Sequence, residues 1–196
     1  MKKLLIIAIN LMLTLTVSIA KGDEYKIDIE GMHAAINFKV RHIGISWLSG
    51  RFDKFDGYFV FDEGNPAASK VIVNVDVASV NSNHEARDAH IREENYLNVT
   101  NNPTAHFIST SIEILDKRSG LIHGQLTLNG VTNSVSLDAK FVGKGDDPWG
   151  GHRAAFEAKL SINPKDFDFK FEYGDVYLTL YLEGIRKTAD NTNDDH

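Results

Sequence analysis

Not one cysteine occurs in the 196 residues. That absence excludes a thiol nucleophile, a thiolate metal site, a disulfide framework and a lipid-modified N-terminal Cys. The fold must therefore be held by its core. Proline is scarce, at four residues, and neither a linker composition nor an internal repeat divides the chain. A length of 196 residues is most simply one domain with a sizeable core. Positive charge is in deficit, with 21 Lys and Arg against 27 Asp and Glu. Long apolar runs are absent too, except for one at the very start.

That run has the layout of a secretory signal. Met1-Lys2-Lys3 is a short positive segment, Leu4 to Val17 is apolar, and Ser18-Ile19-Ala20 supplies small residues for a peptidase. Cleavage is expected after Ala20, leaving a single domain at 21–187 in a periplasmic or secreted setting. The competing reading is an uncleaved anchor, but the run falls short of the roughly 20 residues a span needs. Asn10 also interrupts it. No membrane span is expected after cleavage. Without Lys2 and Lys3 the 21 basic residues become 19 against 27 acidic ones, a formal charge of −8. Such a surface repels phosphate backbones and anionic bilayers, so nucleic acid is not an expected partner. Residues 188–196, "TADNTNDDH", read as a disordered acidic tail.

What is abundant is alternation. Ile36, Phe38, Val40 and His42 share one face of a strand, and Val71, Val73, Val75 and Val77 share one face of another. Further strands are predicted at Gly57–Phe61, Thr104–Ile114, Leu121–Leu128, Val135–Phe141, Arg153–Ile162 and Asp175–Leu182. Turn sequences separate them, and Asn129-Gly130 is the strongest hairpin signal. About eight antiparallel strands make an all-β domain, either a closed barrel or a sandwich. Glycines within or beside strands (Gly50, Gly57, Gly124, Gly143) and the eleven Phe and six Tyr lean toward a barrel.

One segment breaks the pattern. "VNSNHEARDAHIREENYL", Val80 to Leu97, concentrates His, Arg, Asp and Glu. Ser82 to Glu85 matches the S-x-x-E capping box, so a short helix capped by Ser82 is predicted, docking through Ala86, Ala89 and Ile91. His84-Glu85 suggests a zinc-protease helix, but Asp88 stands where the second His belongs. His90 lies six residues on, away from the face of His84, and His84 with Asp88 would need a third ligand. No metal site is assigned. No G-x-S-x-G elbow is present, and distant triads are invisible to sequence. His42, His106 and His123 sit in strands, where a hydrogen-bonded core His and a ligand contact both remain open. Trp47 and Trp149, near turns, read equally as cavity rim or as lids on a closed core.

Three ordered blocks carry a resemblance. "HAAINFKVRHIGISWLSGRFDKFDGYFVFD", "VASVNSNHEARDAHIREENYLNVTNNPTAHFIST" and "GQLTLNGVTNSVSL" resemble the successive motif blocks of the YceI-like family. The similarity covers roughly Glu24 to Arg186. It implies an extended, lipocalin-like antiparallel β-barrel whose interior holds a long apolar chain. Members are described as periplasmic or secreted polyisoprenoid-binding proteins, some holding isoprenoid quinones or fatty-acid derivatives. Carried over by position, Phe38, Val40, His42, Phe52 and Phe55 fall in the first block. Asn83, Arg87, Asp88, His90 and Arg92 fall in the second, with Phe107 after it. Late in the chain, "AFEAKLSINPKDFDFKFEYG" departs from the family pattern. Asn163 replaces an Arg, Pro164 is inserted, and Asp168 stands where Gly is usual. A headgroup contact from that Arg is not expected here.

The leading expectation is a carrier, not an enzyme. An interior lined by Phe and Val withdraws a chain from water at roughly 0.8 kcal/mol per CH2. Phe38, Val40, Phe52, Phe55, Val73, Val75 and Phe107 are the expected apolar contacts, with Trp149 added. His42, Arg87, Asp88 and His90 are the polar ones. No cofactor is called for beyond a bound isoprenoid or acyl chain, and a homodimer is allowed. Two other classes stay open: a small envelope enzyme using His90 with Asp88, and a solid-core interaction module.

Overall fold

Alternation becomes strand nearly wherever it is predicted, Val77 falling instead in a short 3-10 turn, and the strands close on themselves. The computed structural model describes residues 22–170 and 174–188. The leader expected at 1–20, and the acidic tail beyond Thr188, lie outside the described residues.

Eight strands form the ring: β1 (Asp23–Ile27), β4 (Phe55–Phe61), β5 (Lys70–Asp76), β7 (Thr104–Ile114), β8 (Ser119–Leu128), β9 (Val131–Asp146), β10 (His152–Ile162) and β11 (Val176–Arg186). All neighbours are antiparallel, and β1 closes the barrel by pairing with β11. Three more strands, β2 (Ala35–His42), β3 (Ser46–Phe52) and β6 (Val80–Asn81), extend the sheet from β11. β11 serves two partners in turn. Its first half, Val176–Tyr181, pairs with β2, and Gly184–Arg186 pairs with β1. The chain between them, residues 28–34, turns at the seam with Asp28 buried and residues 30–33 exposed.

Two irregularities keep apolar side chains facing inward over such long strands. On β7 the register shifts between Ser109 and Ser111. Ala105 and Phe107 before the bulge and Ile112 and Ile114 after it therefore all face the interior, although their parity differs. β9 and β10 shift register beside Phe156. Gly57 shows why a glycine is needed in a tightly coiled strand. Its φ is 151°, and a Cβ there would sit 2.2 Å from the Ile72 carbonyl oxygen. Asn129-Gly130 links β8 to β9 with φ of 50° and 77°, the hairpin geometry its sequence predicts.

The short helix α1 (Glu85–Ile91) lies in the connection from β5 to β7, at the end of the barrel that also carries the β2–β3 turn. Its start corrects the expectation. Asn83 has a left-handed φ of 61°, so no helix can run through it from Ser82. The cap is His84, whose Nδ1 accepts from the Arg87 N–H at 3.2 Å. The docking face differs too. Ala86 and Ala89 are exposed, Ile91 is half-buried, and the buried helical residue is Asp88.

Candidate functional site

The barrel encloses an elongated cavity of about 910 Å³. That is near the upper end of the 300–1,000 Å³ usual for small-molecule sites. Its length is set by the strands. Ala105 and Ile114 of β7 both line it, which is roughly 30 Å along a strand at 3.3–3.4 Å per residue. The wall is overwhelmingly apolar. β5 contributes Val71, Val73 and Val75, and β11 contributes Val176, Leu178, Leu180 and Leu182. Towards the end opposite α1, Phe59, Phe61, Phe141 and Phe156 form a ring cluster with centroids 5.2–5.3 Å apart. Exposed residues line the cavity at both ends, among them His42 at one and Lys117 at the other.

Polar residues enter only at those ends. At the α1 end, Arg41, His42, Arg87 and His90 line the cavity, and no carboxylate does. Arg87 is held by Ser82, its Nε donating to the hydroxyl at 2.7 Å and its Nη2 to the carbonyl at 2.6 Å. The buried Asp88 binds the same residue, accepting from the Ser82 N–H at 2.9 Å and from its hydroxyl. Arg92 donates to the carbonyls of Ala78 at 2.7 Å and Val80 at 2.9 Å, clamping the helix to the preceding chain. His90 Nε2 meets the Tyr96 hydroxyl at 2.7 Å, and its Nδ1 lies 3.3 Å from the exposed Glu93. His90 and Asp88 thus turn to different partners, and the acid–base pair considered for an enzyme is not assembled. The cavity also sets aside the solid-core reading.

The opposite end carries both signs of charge. Lys70, Lys117 and Arg118 line the cavity there together with Glu63 and Asp116, and an ion-pair cluster lies beside it at the seam. Arg153 is the hub. Its Nη1 lies 2.6 Å from both Asp28 Oδ2 and Glu183 Oε1, and its Nε lies 2.6 Å from Asp147 Oδ2. Burial pushes the Asp28 carboxyl up, but hydrogen bonds from Arg153, His33 and the Gly31 N–H outweigh it and hold its pKa at about 2. Asp147 is held below the ordinary range, first by Arg153 and then by the Gly151 N–H. Among the described residues, Asp28, His33 and Glu183 are near enough to share a metal ion. Arg153 already supplies the positive charge between these two carboxylates, so the group is a guanidinium site. Closer to the cavity, Lys144 pairs with Glu63 at 2.6 Å.

Of the residues singled out from sequence, Phe38, Val40, His42, Phe52, Val73, Val75, Arg87, His90 and Phe107 line the cavity. Phe55, Asp88 and Trp149 do not, and their assignment as ligand contacts is corrected. Phe55 is buried in the packed core, opposite Val75 of the neighbouring strand. Asp88 is consumed by Ser82. Trp149 is 80% exposed on the β9–β10 turn, its N–H donating to Asp147 Oδ1 at 2.9 Å. The aromatic cluster of Phe59, Phe61, Phe141 and Phe156 was missed. Its signal was present, because these residues keep the inward phase of their strands.

Comparison with known proteins agrees with this geometry. The YceI-like domain model matches residues 25–189. A UPF0312 protein of Pseudomonas aeruginosa is 51% identical over 172 residues, covering 86% of this chain and 90% of that protein. Protein YceI of Shigella flexneri is 50% identical with the same coverage. Among solved structures, Burkholderia cenocepacia BcnA superposes with a TM-score of 0.71 at 18% identity, covering 80% of this chain and 98% of that one. The Campylobacter jejuni YceI protein superposes at 0.68 with 26% identity, covering 76% and 91%. A polyisoprenoid binding domain from Saccharophagus degradans superposes at 0.61 with 14% identity, covering 83% and 98%. With the family model spanning nearly all described residues and relatives at half identity, the chain belongs to the YceI-like family.

Proposed function

We propose that this protein is an exported carrier that holds one long-chain apolar lipid, an isoprenoid or acyl derivative, inside its barrel. The carrying observation is the length and apolarity of the cavity. A round ligand would leave much of a wall roughly 30 Å long unfilled, whereas an extended chain gains roughly 0.8 kcal/mol for each CH2 taken from water. The Saccharophagus neighbour is named as a polyisoprenoid binding domain, which supports the same ligand class. The headgroup belongs at the α1 end. Arg41, His42, Arg87 and His90 line that end without a carboxylate, so the arrangement favours an anionic headgroup. The segment at residues 1–20 supports export to the periplasm or the exterior.

Mass spectrometry of an organic extract of the purified protein is the direct test, with one acidic lipid per chain expected. Ala139→Trp sharpens it. Ala139 lines the cavity midway along β9, so a Trp there blocks the tube and lipid content should fall to near zero while the strand content by circular dichroism is kept. An extract without lipid, together with no uptake of isoprenoid or acyl ligands, would remove the carrier reading.

A further inference from the structure

We propose that the tip of the β2–β3 hairpin is a docking finger for an anionic phospholipid bilayer. The first observation is the exposure of its apolar residues. Ile43 and Ile45 are 77% and 81% exposed at the turn, on a chain whose apolar side chains otherwise largely fill the barrel. Isolated exposed apolar residues are ordinary. Two isoleucines flanking a single glycine at a protruding turn form a contiguous apolar tip.

The second observation is a turn built against backbone preference. Ile43 and Gly44 have φ of 53° and 72°, with the Ile45 N–H donating to the His42 carbonyl at 2.9 Å. Asn129 and Gly130 make a turn with nearly the same pair of φ values at the same end of the barrel. Asn tolerates that conformation, whereas a β-branched residue resists it. The chain therefore carries Ile where Asn would form the turn more easily. Ile45 lines no cavity and Ile43 reaches only its mouth, so the exposure of both points to a contact outside the molecule.

Charge and aromatic placement identify that partner. From Gly31 to Phe52 there is no Asp or Glu, although the whole chain has 27 acidic residues. Near the tip the same stretch places Lys39, Arg41 and His42, whereas Arg51 is paired with Asp53 and His33 with Asp28 at the seam. Behind the tip, Trp47 meets Tyr177 edge-on at 5.6 Å, with Lys39 Nζ 4.7 Å and the Arg41 guanidinium 4.9 Å from the Trp47 ring. Apolar tip, Trp–Tyr collar and cationic flank reproduce the order of environments met on entering a bilayer with acidic headgroups. Global repulsion of such a surface is thereby overcome locally. Arg41, His42 and Ile43 also line the cavity, so docking would set its mouth against the lipid. Only that last consequence rests on the carrier reading.

Flotation of the purified protein with vesicles of phosphatidylethanolamine and phosphatidylglycerol tests the docking face. Binding is expected, weakened by salt and absent with phosphatidylcholine alone. Ile43→Asn with Ile45→Thr should lower the partition coefficient by roughly tenfold or more. Lys39→Gln should lower it about fivefold. Because Ile43→Asn suits the turn, its melting temperature should not fall, which separates lost docking from lost folding. In a Trp149→Phe background, Trp47 fluorescence should shift to the blue on vesicle addition. Binding unaffected by the tip substitutions would overturn the proposal. So would equal binding to neutral vesicles, or a solution dimer that the same substitutions dissolve. A vesicle-binding protein with a clean lipid extract would retain the docking finger and lose the carrier.

Discussion

The two ends of the barrel handle charge in opposite ways. Around the β1–β11 closure, Asp28, Asp147 and Glu183 converge on Arg153, and Glu63 meets Lys144. At the α1 end the cavity is lined by Arg41, His42, Arg87 and His90 and by no carboxylate, with Glu93 outside it beside His90. Paired charges at the seam have a structural cause, since β11 changes neighbours there and the chain of residues 28–34 must be anchored. Unbalanced charge costs self-repulsion, and its concentration beside an apolar cavity is best explained by a ligand that balances it. The difference separates the part of the molecule that closes the fold from the part where the proposed headgroup site lies.

The sharpest way to break the comparison is at the hub. Arg153→Ala leaves the buried Asp28 uncompensated and should destabilise the protein by about 3–5 kcal/mol in denaturant unfolding. Lipid recovered per folded molecule should be unchanged, because Arg153 does not line the cavity. A loss under about 1 kcal/mol would show that the seam is held by packing instead. At the other end, Asp88→Ala strands the buried Ser82 N–H and hydroxyl and should cost about 1–3 kcal/mol. Hydrogen exchange should then quicken in α1 first, and uniform quickening across the barrel would contradict its local role.

Acid separates the ends without mutation. The pKa of Asp28 is lowered from 3.8 to about 2, so its contribution is complete above pH 4 and is lost as pH falls from about 4 to 2. The depression corresponds to about 2 kcal/mol. Asp28→Asn should remove that acid step from the stability profile, and a profile with the step intact would assign it to another carboxylate. The smallest effect is expected at the finger. Ile43→Asn relieves a left-handed β-branched residue and should raise stability by up to about 1 kcal/mol, seen as a small rise in melting temperature.

Much of the barrel was legible in the chain because strand alternation is a local property. β7 spans Thr104–Ile114 as its pattern predicts, and Asn129-Gly130 turns where its φ values require. The inward phase of Phe38, Val40, Val73 and Phe107 was readable for the same reason. Other features depended on neighbours distant in sequence. Ser82 has the chemistry of a cap, but the left-handed Asn83 passes that role to His84 and leaves Ser82 to hold Arg87 and Asp88. Trp149 sits in a turn whose direction only the assembled β9–β10 hairpin sets, and it points to solvent. Ala86 and Ala89 form an apolar stripe that found no partner surface, because the polar network at Asp88 fixes the rotation of the helix.

Period, turn chemistry and the order of blocks, each written within a few residues of the chain, determined the strands, the hairpins and the family. Closure of β1 onto β11, the convergence of three carboxylates on Arg153, and the gathering of Arg41, His42, Arg87 and His90 at one end of the cavity without a carboxylate in its lining were decided only by tertiary structure. Each of these joins residues far apart along the chain, and their spacing in sequence carries no record of the distance at which they meet.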